Sequence, residues 1–239
     1  MKKSSIKRIR KLKYHFLRMR MHRCVPGNPL IFLGHMSAMS LWISSRKDLK
    51  FTDFPCKTFN YERRLDLYRY VIDNELSDKE IDYLEFGVAT GGSFRWWLKN
   101  IDHKDSRFYG FDTFTGLPED WGPFKKGDMS NGNAPPDVDD TRCQFYQGVF
   151  QDTLYDFLNT YKAGKRKVVH LDADLYSSTL FVLTTLSPYL NKGDILLFDE
   201  FNVPLHEYKA FREWSESFYI KYSVIAEVNN FYQVAIKIG

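Results

Sequence analysis

Short apolar runs alternate with segments of helical periodicity along most of this chain. Buried strands are predicted at 81–86, 107–111, 145–149, 166–171 and 194–198. Segments with helical spacing lie at 61–75, 91–101, 152–162, 178–190 and 205–218. Two further β-rich runs, 222–228 and 231–238, flank Asn229 and Asn230 as in a hairpin. The pattern predicts an α/β fold, a doubly wound, mostly parallel seven-stranded sheet that ends in an antiparallel hairpin.

The basic residues are concentrated at the N-terminus. Residues 1–47 contain twelve Lys or Arg and no acid, whereas the rest of the chain contains 22 basic and 30 acidic residues. Between residues 5 and 23, apolar side chains recur close to helical spacing among the basic ones. This predicts either a basic amphipathic helix in peripheral contact with an anionic membrane, or a solvated, partly disordered extension.

An interrupted apolar run follows at 29–43, and it is too short to span a bilayer. Three interpretations stay open for it: it covers the active site, packs between subunits of a homo-oligomer, or dips into a membrane surface. We therefore divide the chain into an N-terminal extension, 1–50, and a main domain, 51–239.

Composition excludes some classes of protein. A main domain with an excess of acids is not expected to bind nucleic acid. Cys24, Cys56 and Cys143 are odd in number and widely spaced, which indicates a reducing compartment. We therefore expect a cytoplasmic protein, either free or associated with a membrane through the extension.

A glycine-rich turn follows the first core strand. Glu85 ends that strand, and Gly87 and Gly91 allow a sharp turn and close approach of the backbone to a ligand. The amide groups at the start of the next helix favour a negative group there. Asp112 ends the second strand, 25 residues after Gly87, where a nucleotide ribose is usually held. The turn and Asp112 together predict a nucleotide-type ligand.

A second group of acids lies at the ends of later strands. Asp172 and Asp174 follow strand 166–171, and Asp199 and Glu200 follow strand 194–198. Converging carboxylates favour a hard divalent cation such as Mg²⁺. A helix N-cap role or simple solvation is the alternative, most of all for Asp174.

A histidine and a long loop carry two further predictions. His170 lies in mid-strand and is predicted to be a core histidine rather than a base. The long loop 116–142 is predicted to cover the site as a lid, with plain disorder as the alternative.

Four ordered motifs carry a resemblance to a known family. They are Glu85-Phe-Gly-Val-Ala-Thr-Gly-Gly-Ser93, Gly110-Phe-Asp-Thr-Phe-Thr-Gly-Leu-Pro118, Gly148-Val-Phe-Gln-Asp-Thr-Leu154 and His170-Leu-Asp-Ala-Asp-Leu-Tyr-Ser-Ser-Thr179. From about Tyr61 onward, the chain resembles the macrocin-type sugar O-methyltransferases, which are class I S-adenosylmethionine (SAM) enzymes. The resemblance implies a SAM-dependent O-methyltransferase that acts on a hydroxyl of a sugar or glycosylated small molecule.

The resemblance also implies roles for individual residues. The methionine end of SAM would lie against Glu85, Gly87, Gly91 and Ser93; the ribose against Asp112; and the adenine near Gln151 and Asp152. Mg²⁺ would be held by Asp172, Asp199 and Glu200, with Asp172 also the general base.

The chain departs from the family pattern in two places. The family usually carries Asp-Asp where this chain has Asp199-Glu200, and the segment 1–50 has no clear counterpart. Two other functions stay open at this stage. Asp172-Ala-Asp174 could serve as the DxD motif of a glycosyltransferase, or the chain could be a non-catalytic SAM-fold protein tethered to a membrane.

Overall fold

One mixed sheet organises the protein. A computed structural model describes residues 2–46, 49–76 and 80–239. The strands are β1 (Ile81–Phe86), β2 (Arg107–Asp112), β3 (Cys143–Gln147), β4 (Arg166–Leu171), β5 (Ile195–Phe198), β6 (Tyr222–Val228) and β7 (Gln233–Ile238). Their order is β3-β2-β1-β4-β5-β7-β6; β1 to β5 are parallel, and β7 is antiparallel to both β5 and β6. The predicted seven-stranded sheet with its C-terminal hairpin is confirmed.

Helices cover both faces of the sheet. They are α1 (Lys2–Arg18), α2 (Gly27–Ser44), α3 (Arg64–Val71), α4 (Gly92–Asn100), α5 (Phe150–Thr160), α6 (Tyr176–Leu186) and α7 (Glu207–Ser217). One buried cluster joins α3 and α4 to one face of the sheet, and a second joins α2, α5, α6 and α7 to the other. The fold is therefore doubly wound, as predicted.

Some boundaries differ from the prediction for reasons of backbone geometry. Strand β3 ends at Gln147 because Gly148 takes a φ of +147°, and α5 consequently starts at Phe150 rather than at residue 152. Residues 229–231 all have positive φ, so β7 begins at Gln233. The N-terminal helix predicted between residues 5 and 23 is present, but it ends at Arg18 because Arg20 adopts a left-handed conformation.

The predicted extension contacts the main domain at two places. The second half of α2 packs on the core, where Trp42 lies against the rings of Phe201 and Phe231. Arg46 then donates a hydrogen bond to the Tyr222 hydroxyl of β6 at 3.2 Å. Met1, Lys47 and Asp48, which belong to the predicted extension, lie outside the described residues. The division at residue 50 stays a prediction.

Residues 51–60, which we call the strap, cross the β6–β7 hairpin. The Glu227 carboxylate accepts hydrogen bonds from the backbone amides of Asp53 and Phe54, each at 3.0 Å. The Asn229 side chain bonds both the amide and the carbonyl of Asn60, also at 3.0 Å. The strap therefore delivers the next residue, Tyr61, to the edge of the sheet where the parallel strands end.

Candidate active site

A cavity of about 340 Å³ lies at the carboxyl ends of the parallel strands. Its volume falls within the range of about 300–1,000 Å³ that is usual for small-molecule sites. The cavity is lined by the turns that follow β1, β2, β3, β4 and β5, by Tyr61 next to the strap, and by the 116–142 loop. It includes Tyr61, Gly87, Ala89, Asp112, Thr113, Leu117, Met129, Phe150, Gln151, Asp172, Asp174 and Glu200. The site is at the position where ligands bind in doubly wound sheets.

The turn after β1 is held directly against the end of β4. Gly87 has a φ of +95°, and a Cβ at this position would lie 1.8 Å from the carbonyl oxygen of Asp172. The amide of Asp172 in turn donates a hydrogen bond to the carbonyl of Phe86 at 2.9 Å. Glycine is therefore required here by the approach of another backbone segment as well as by the turn itself.

The carboxylate of Asp112 organises the turns beside the cavity. One oxygen accepts hydrogen bonds from the amides of Val88 at 2.8 Å and Ala89 at 2.7 Å. The other oxygen accepts one from the amide of Phe114 at 2.7 Å. A carboxylate offers about four acceptor positions, so capacity remains for a ligand hydroxyl. The predicted contact with a ribose stays a prediction, and the structure adds a scaffolding role.

Glu85 lies inside the domain, next to the glycine turn. Its two oxygens accept hydrogen bonds from Ser93 Oγ at 2.7 Å and from the Tyr83 hydroxyl at 2.6 Å. Burial raises the pKa of Glu85 to about 8, although both hydrogen bonds act in the opposite direction. Of the residues predicted to bind the cofactor, Gly87, Asp112 and Gln151 line the cavity; Glu85, Gly91, Ser93 and Asp152 do not belong to its lining.

His170 is a buried histidine with two tyrosine partners. Its Nδ1 lies 2.8 Å from the Tyr83 hydroxyl, and its Nε2 lies 3.2 Å from the Tyr68 hydroxyl. Burial lowers the pKa of His170 to about 3, so the ring is neutral at physiological pH. The prediction that it is a core residue is confirmed.

The acids predicted at the ends of β4 and β5 meet at the cavity. Asp172, Asp174 and Glu200 line it, and Asp199 is buried beside them. Burial raises the pKa of each of these carboxyl groups, and for Asp172 the next cause is repulsion by Asp199. The site therefore contains more negative charge than its own residues compensate.

Several carboxylate oxygens in this region have no hydrogen-bond partner. They are Asp199 Oδ1, Glu200 Oε2 and Glu207 Oε1, all buried. Unpaired buried carboxylate oxygens are costly, and a divalent cation with oxygen ligands would satisfy them. These carboxylate oxygens are thus the kind of ligand that such a cation binds.

The predicted metal ligands are nevertheless spaced widely. Within the described ranges, one set of acidic or histidine side chains has its ligand atoms within 4.8 Å of one another, namely Glu80, His103 and Asp105. This set is exposed and lies at the opposite edge of the sheet. Asp172, Asp199 and Glu200 do not reach that spacing. Binding of a cation by this trio would draw the three carboxylates together.

The interpretation of Asp174 as a helix cap was wrong. The N-cap of α6 is Leu175, which makes no side-chain capping bond. Asp174 has a φ of +57° and lies close to Glu200. Burial raises the pKa of Glu200, and the neighbouring Asp174 raises it further. The strained backbone turns Asp174 into the cavity.

Tyr61 and Arg64 are functional candidates that the sequence did not indicate. The Tyr61 hydroxyl donates to Asp199 Oδ2, and the Arg64 guanidinium lies 4.0 Å from the centre of the Tyr61 ring. The charge of Arg64 opposes the burial that raises the pKa of Asp199. Their placement depends on the strap, which has no periodicity in the sequence that could have revealed it.

Comparison with known proteins gives consistent matches. Residues 84–201 match the family described as "Methyltransferase domain". An 8-demethyl-8-(2,3-dimethoxy-alpha-L-rhamnosyl)-tetracenomycin-C 4'-O-methyltransferase of Streptomyces olivaceus is 28% identical over 171 residues, covering 62% of this chain and 66% of that protein. Mycinamicin III 3''-O-methyltransferase of Micromonospora griseorubida is 26% identical over 176 residues, covering 62% and 68%. The matched part thus spans about two thirds of the length of these curated relatives.

Solved structures show the same fold. The O-methyltransferase NovP superposes with a TM-score of 0.60 at 19% identity, over 87% of this chain and 98% of its own. CalS11, a calicheamicin methyltransferase, superposes with a TM-score of 0.54 at 23% identity, over 74% and 77%. Residues 84–201 thus match a methyltransferase domain, and the chain has the fold of NovP and CalS11.

Proposed function

We propose that the protein transfers the methyl group of SAM to a hydroxyl of a sugar or glycosylated small molecule, and that Mg²⁺ takes part. The observation that carries this proposal is the composition of one cavity. Gly87, Asp112 and Gln151 line it together with the carboxylates of Asp172 and Glu200. The two curated relatives, by their names, methylate sugar-bearing compounds. This proposal replaces the glycosyltransferase and non-catalytic interpretations.

The cofactor would lie along the turns after β1, β2 and β3. SAM, when bound, supplies an electrophilic methyl group on a positively charged sulfur. Gly87 would face its methionine end, Asp112 its ribose, and Gln151, followed by Asp152, its adenine. The buried pair of Glu85 and Ser93 would support this end of the site by fixing the turn that contains Gly87 and Gly91.

The metal would be held by Asp172, Asp199 and Glu200. A divalent cation, when bound, would orient neighbouring hydroxyls and lower their pKa. Metal ligands must be deprotonated, so Glu200, whose pKa is raised by burial and by Asp174, would have to lose its proton on metal binding. The longer reach of Glu, compared with the Asp usual in the family, allows it to turn from Asp174 toward the metal. This is our account of the Asp-Glu pair.

The residues of this chain would carry the proton transfer. Asp172 lines the cavity and, deprotonated on binding the cation, would be the carboxylate that serves as the base. The acceptor oxygen would bond to the methyl carbon as the carbon–sulfur bond breaks, and Asp172 would take the hydroxyl proton. Tyr61 holds Asp199 in place, and Arg64 adds a fixed positive charge nearby. Most of the rate gain would come from alignment of the hydroxyl with the methyl group.

A methyl-transfer assay tests this proposal. Purified protein is incubated with SAM carrying an isotope-labelled methyl group and with a panel of saccharides that contain neighbouring hydroxyls, with either Mg²⁺ or EDTA. We expect a methyl ether that forms with Mg²⁺ and falls at least tenfold with EDTA. An Asp199→Asn variant should lose the Mg²⁺ response, whereas Asp156→Asn, an exposed position on α5, serves as the matched control. Equal rates with Mg²⁺ and EDTA would contradict the metal role.

A further inference from the structure

The first half of α2 is apolar on all sides and exposed. Leu30, Ile31, Phe32 and Leu33 keep 53%, 53%, 43% and 61% of their surface accessible. Four consecutive residues in a helix point in directions 100° apart, so they cover almost the whole circumference. The second half of the same helix is anchored to the core through Met39 and Trp42. The helix therefore extends an apolar end away from the domain.

The preceding helix combines apolar and basic side chains on its surface. Ile9, Leu12 and Leu17 of α1 are 52%, 71% and 73% exposed. Exposed basic residues surround them, which are Lys7, Arg8, Arg10, Lys11, Lys13 and Arg18, and residues 1–47 contain no acid. Exposed apolar area next to concentrated positive charge is the composition of helices that bind at the surface of anionic membranes.

The length of the exposed apolar part of α2 limits how deeply it could enter a lipid bilayer. Residues 27–36 of α2 span roughly 15 Å at 1.5 Å per residue, about half of the roughly 30 Å hydrocarbon thickness of a bilayer. Across residues 2–46, 49–76 and 80–239, the structure contains no helix that combines the length and hydrophobicity needed to cross a membrane. A contact with one leaflet is the arrangement that these dimensions favour.

We propose that α1 together with residues 27–36 of α2, here called the docking surface, binds to an anionic lipid bilayer without crossing it. A second copy of the chain is a weaker candidate for the occupant. A symmetric contact through the docking surface would bring two basic helices together, with no acid in either to offset them. An all-round apolar helix end also suits lipid, which surrounds it, better than a protein groove, which covers one face.

Vesicle flotation with the full-length protein tests this inference. The probes are vesicles of phosphatidylcholine alone and vesicles with about one third phosphatidylglycerol. We expect the protein to float with the anionic vesicles, to bind neutral ones much more weakly, and to be released at high salt, since surface charge is screened there. The docking surface is separate from the SAM site, so calorimetric SAM affinity is measured in parallel and should be the same in every variant.

Two variants separate the charge from the apolar contact. Replacement of Lys7, Arg10 and Lys11 by Gln should weaken binding to anionic vesicles about 100-fold, since each cation near such a surface contributes a factor of about five. Ile31→Ser with Leu33→Ser should abolish binding to both kinds of vesicle. These positions are exposed, so the fold is expected to survive.

A matched control removes the same number of positive charges from the main domain instead. It replaces the exposed residues Lys99, Lys104 and Lys162 by Gln and should bind as the unmodified protein does. Absence of binding to anionic vesicles would overturn the inference, and so would equal loss in the control and in the charge variant. A dimer in sedimentation velocity that the Ile31→Ser/Leu33→Ser variant dissolves would also overturn it, because a second copy would then be the occupant.

Discussion

Replacement of Gly87 by Ala tests how the site is assembled. The added Cβ would lie 1.8 Å from the carbonyl oxygen of Asp172, whereas real Cβ atoms stay at least 3.0 Å from such neighbours. Because the obstacle is backbone of β4, it cannot rotate away as a side chain would. The turn after β1 and the end of β4 must therefore separate by more than 1 Å, which disturbs both ends of the cavity.

The cost can be estimated from two contributions. A non-glycine residue at a φ of +95° costs about 1–2 kcal/mol. Forcing an extra carbon into a packed site costs about 1–3 kcal/mol. The variant should therefore lose about 2–5 kcal/mol of unfolding free energy, or roughly 5–20 °C in Tm for a chain of this size. SAM affinity should fall at least tenfold, because the amides of Val88 and Ala89 would shift away from Asp112.

Urea denaturation and calorimetric titration with SAM measure both effects. Gly92→Ala is the matched control: it lies five residues further along, has no positive φ, and a Cβ there meets nothing within 4 Å. We expect that control to be neutral or slightly stabilising. The reasoning is refuted if Gly87→Ala unfolds within about 0.5 kcal/mol of the unmodified protein and binds SAM equally well.

Three further predictions concern the residues around the cavity. Tyr61→Phe leaves a buried carboxylate oxygen of Asp199 unpaired, so kcat should fall about 5- to 100-fold while the Kd for SAM is unchanged; an unaltered kcat would exclude a positioning role. Burial raises the pKa of Glu85 from 4.5 to about 8, so its contribution to stability is complete below pH 4.5 and is lost as the pH rises through 8. In denaturation experiments, the unfolding free energy of the unmodified protein should therefore fall by about 5 kcal/mol more than that of Glu85→Gln as the pH rises from 4.5 through 8. Parallel curves of unfolding free energy against pH for the two proteins would contradict this. Trp42→Ala removes a half-buried ring from the core and should cost about 2–3 kcal/mol in urea denaturation without a change in SAM affinity; an unchanged midpoint would show that α2 is not anchored there.

The sequence predicted those parts of the fold that depend on local pattern. The apolar runs located β1, β2 and β4 within one residue, because each of these strands has apolar side chains on both of its faces. The chain order of strands and helices then placed Asp112, Asp172 and Asp199 at one edge of the sheet. The end of β3 was misplaced by two residues, since Gly148 ends the strand through its backbone conformation rather than through polarity.

Other features depend on contacts between distant segments. Tyr61 reaches Asp199 because the strap is bound to Glu227 and Asn229, more than 160 residues away in the chain. The proximity of Asp174 to Glu200 likewise joins the ends of two strands, and nothing in the neighbouring residues indicates the positive φ of Asp174. Neither arrangement has a periodic signal, so sequence alone could not have supplied it.

The most direct test of the central claim separates cofactor binding from methyl transfer at Asp172. The unmodified protein and an Asp172→Asn variant are titrated with SAM by calorimetry and then assayed for transfer of a labelled methyl group to saccharides with neighbouring hydroxyls. We predict one SAM per chain with affinities within a few fold in both proteins, and methyl ether formation at least 100-fold slower in the variant. Equal transfer rates in the two proteins would contradict the assignment of Asp172 as the base, and absence of SAM binding in the unmodified protein would contradict the account as a whole.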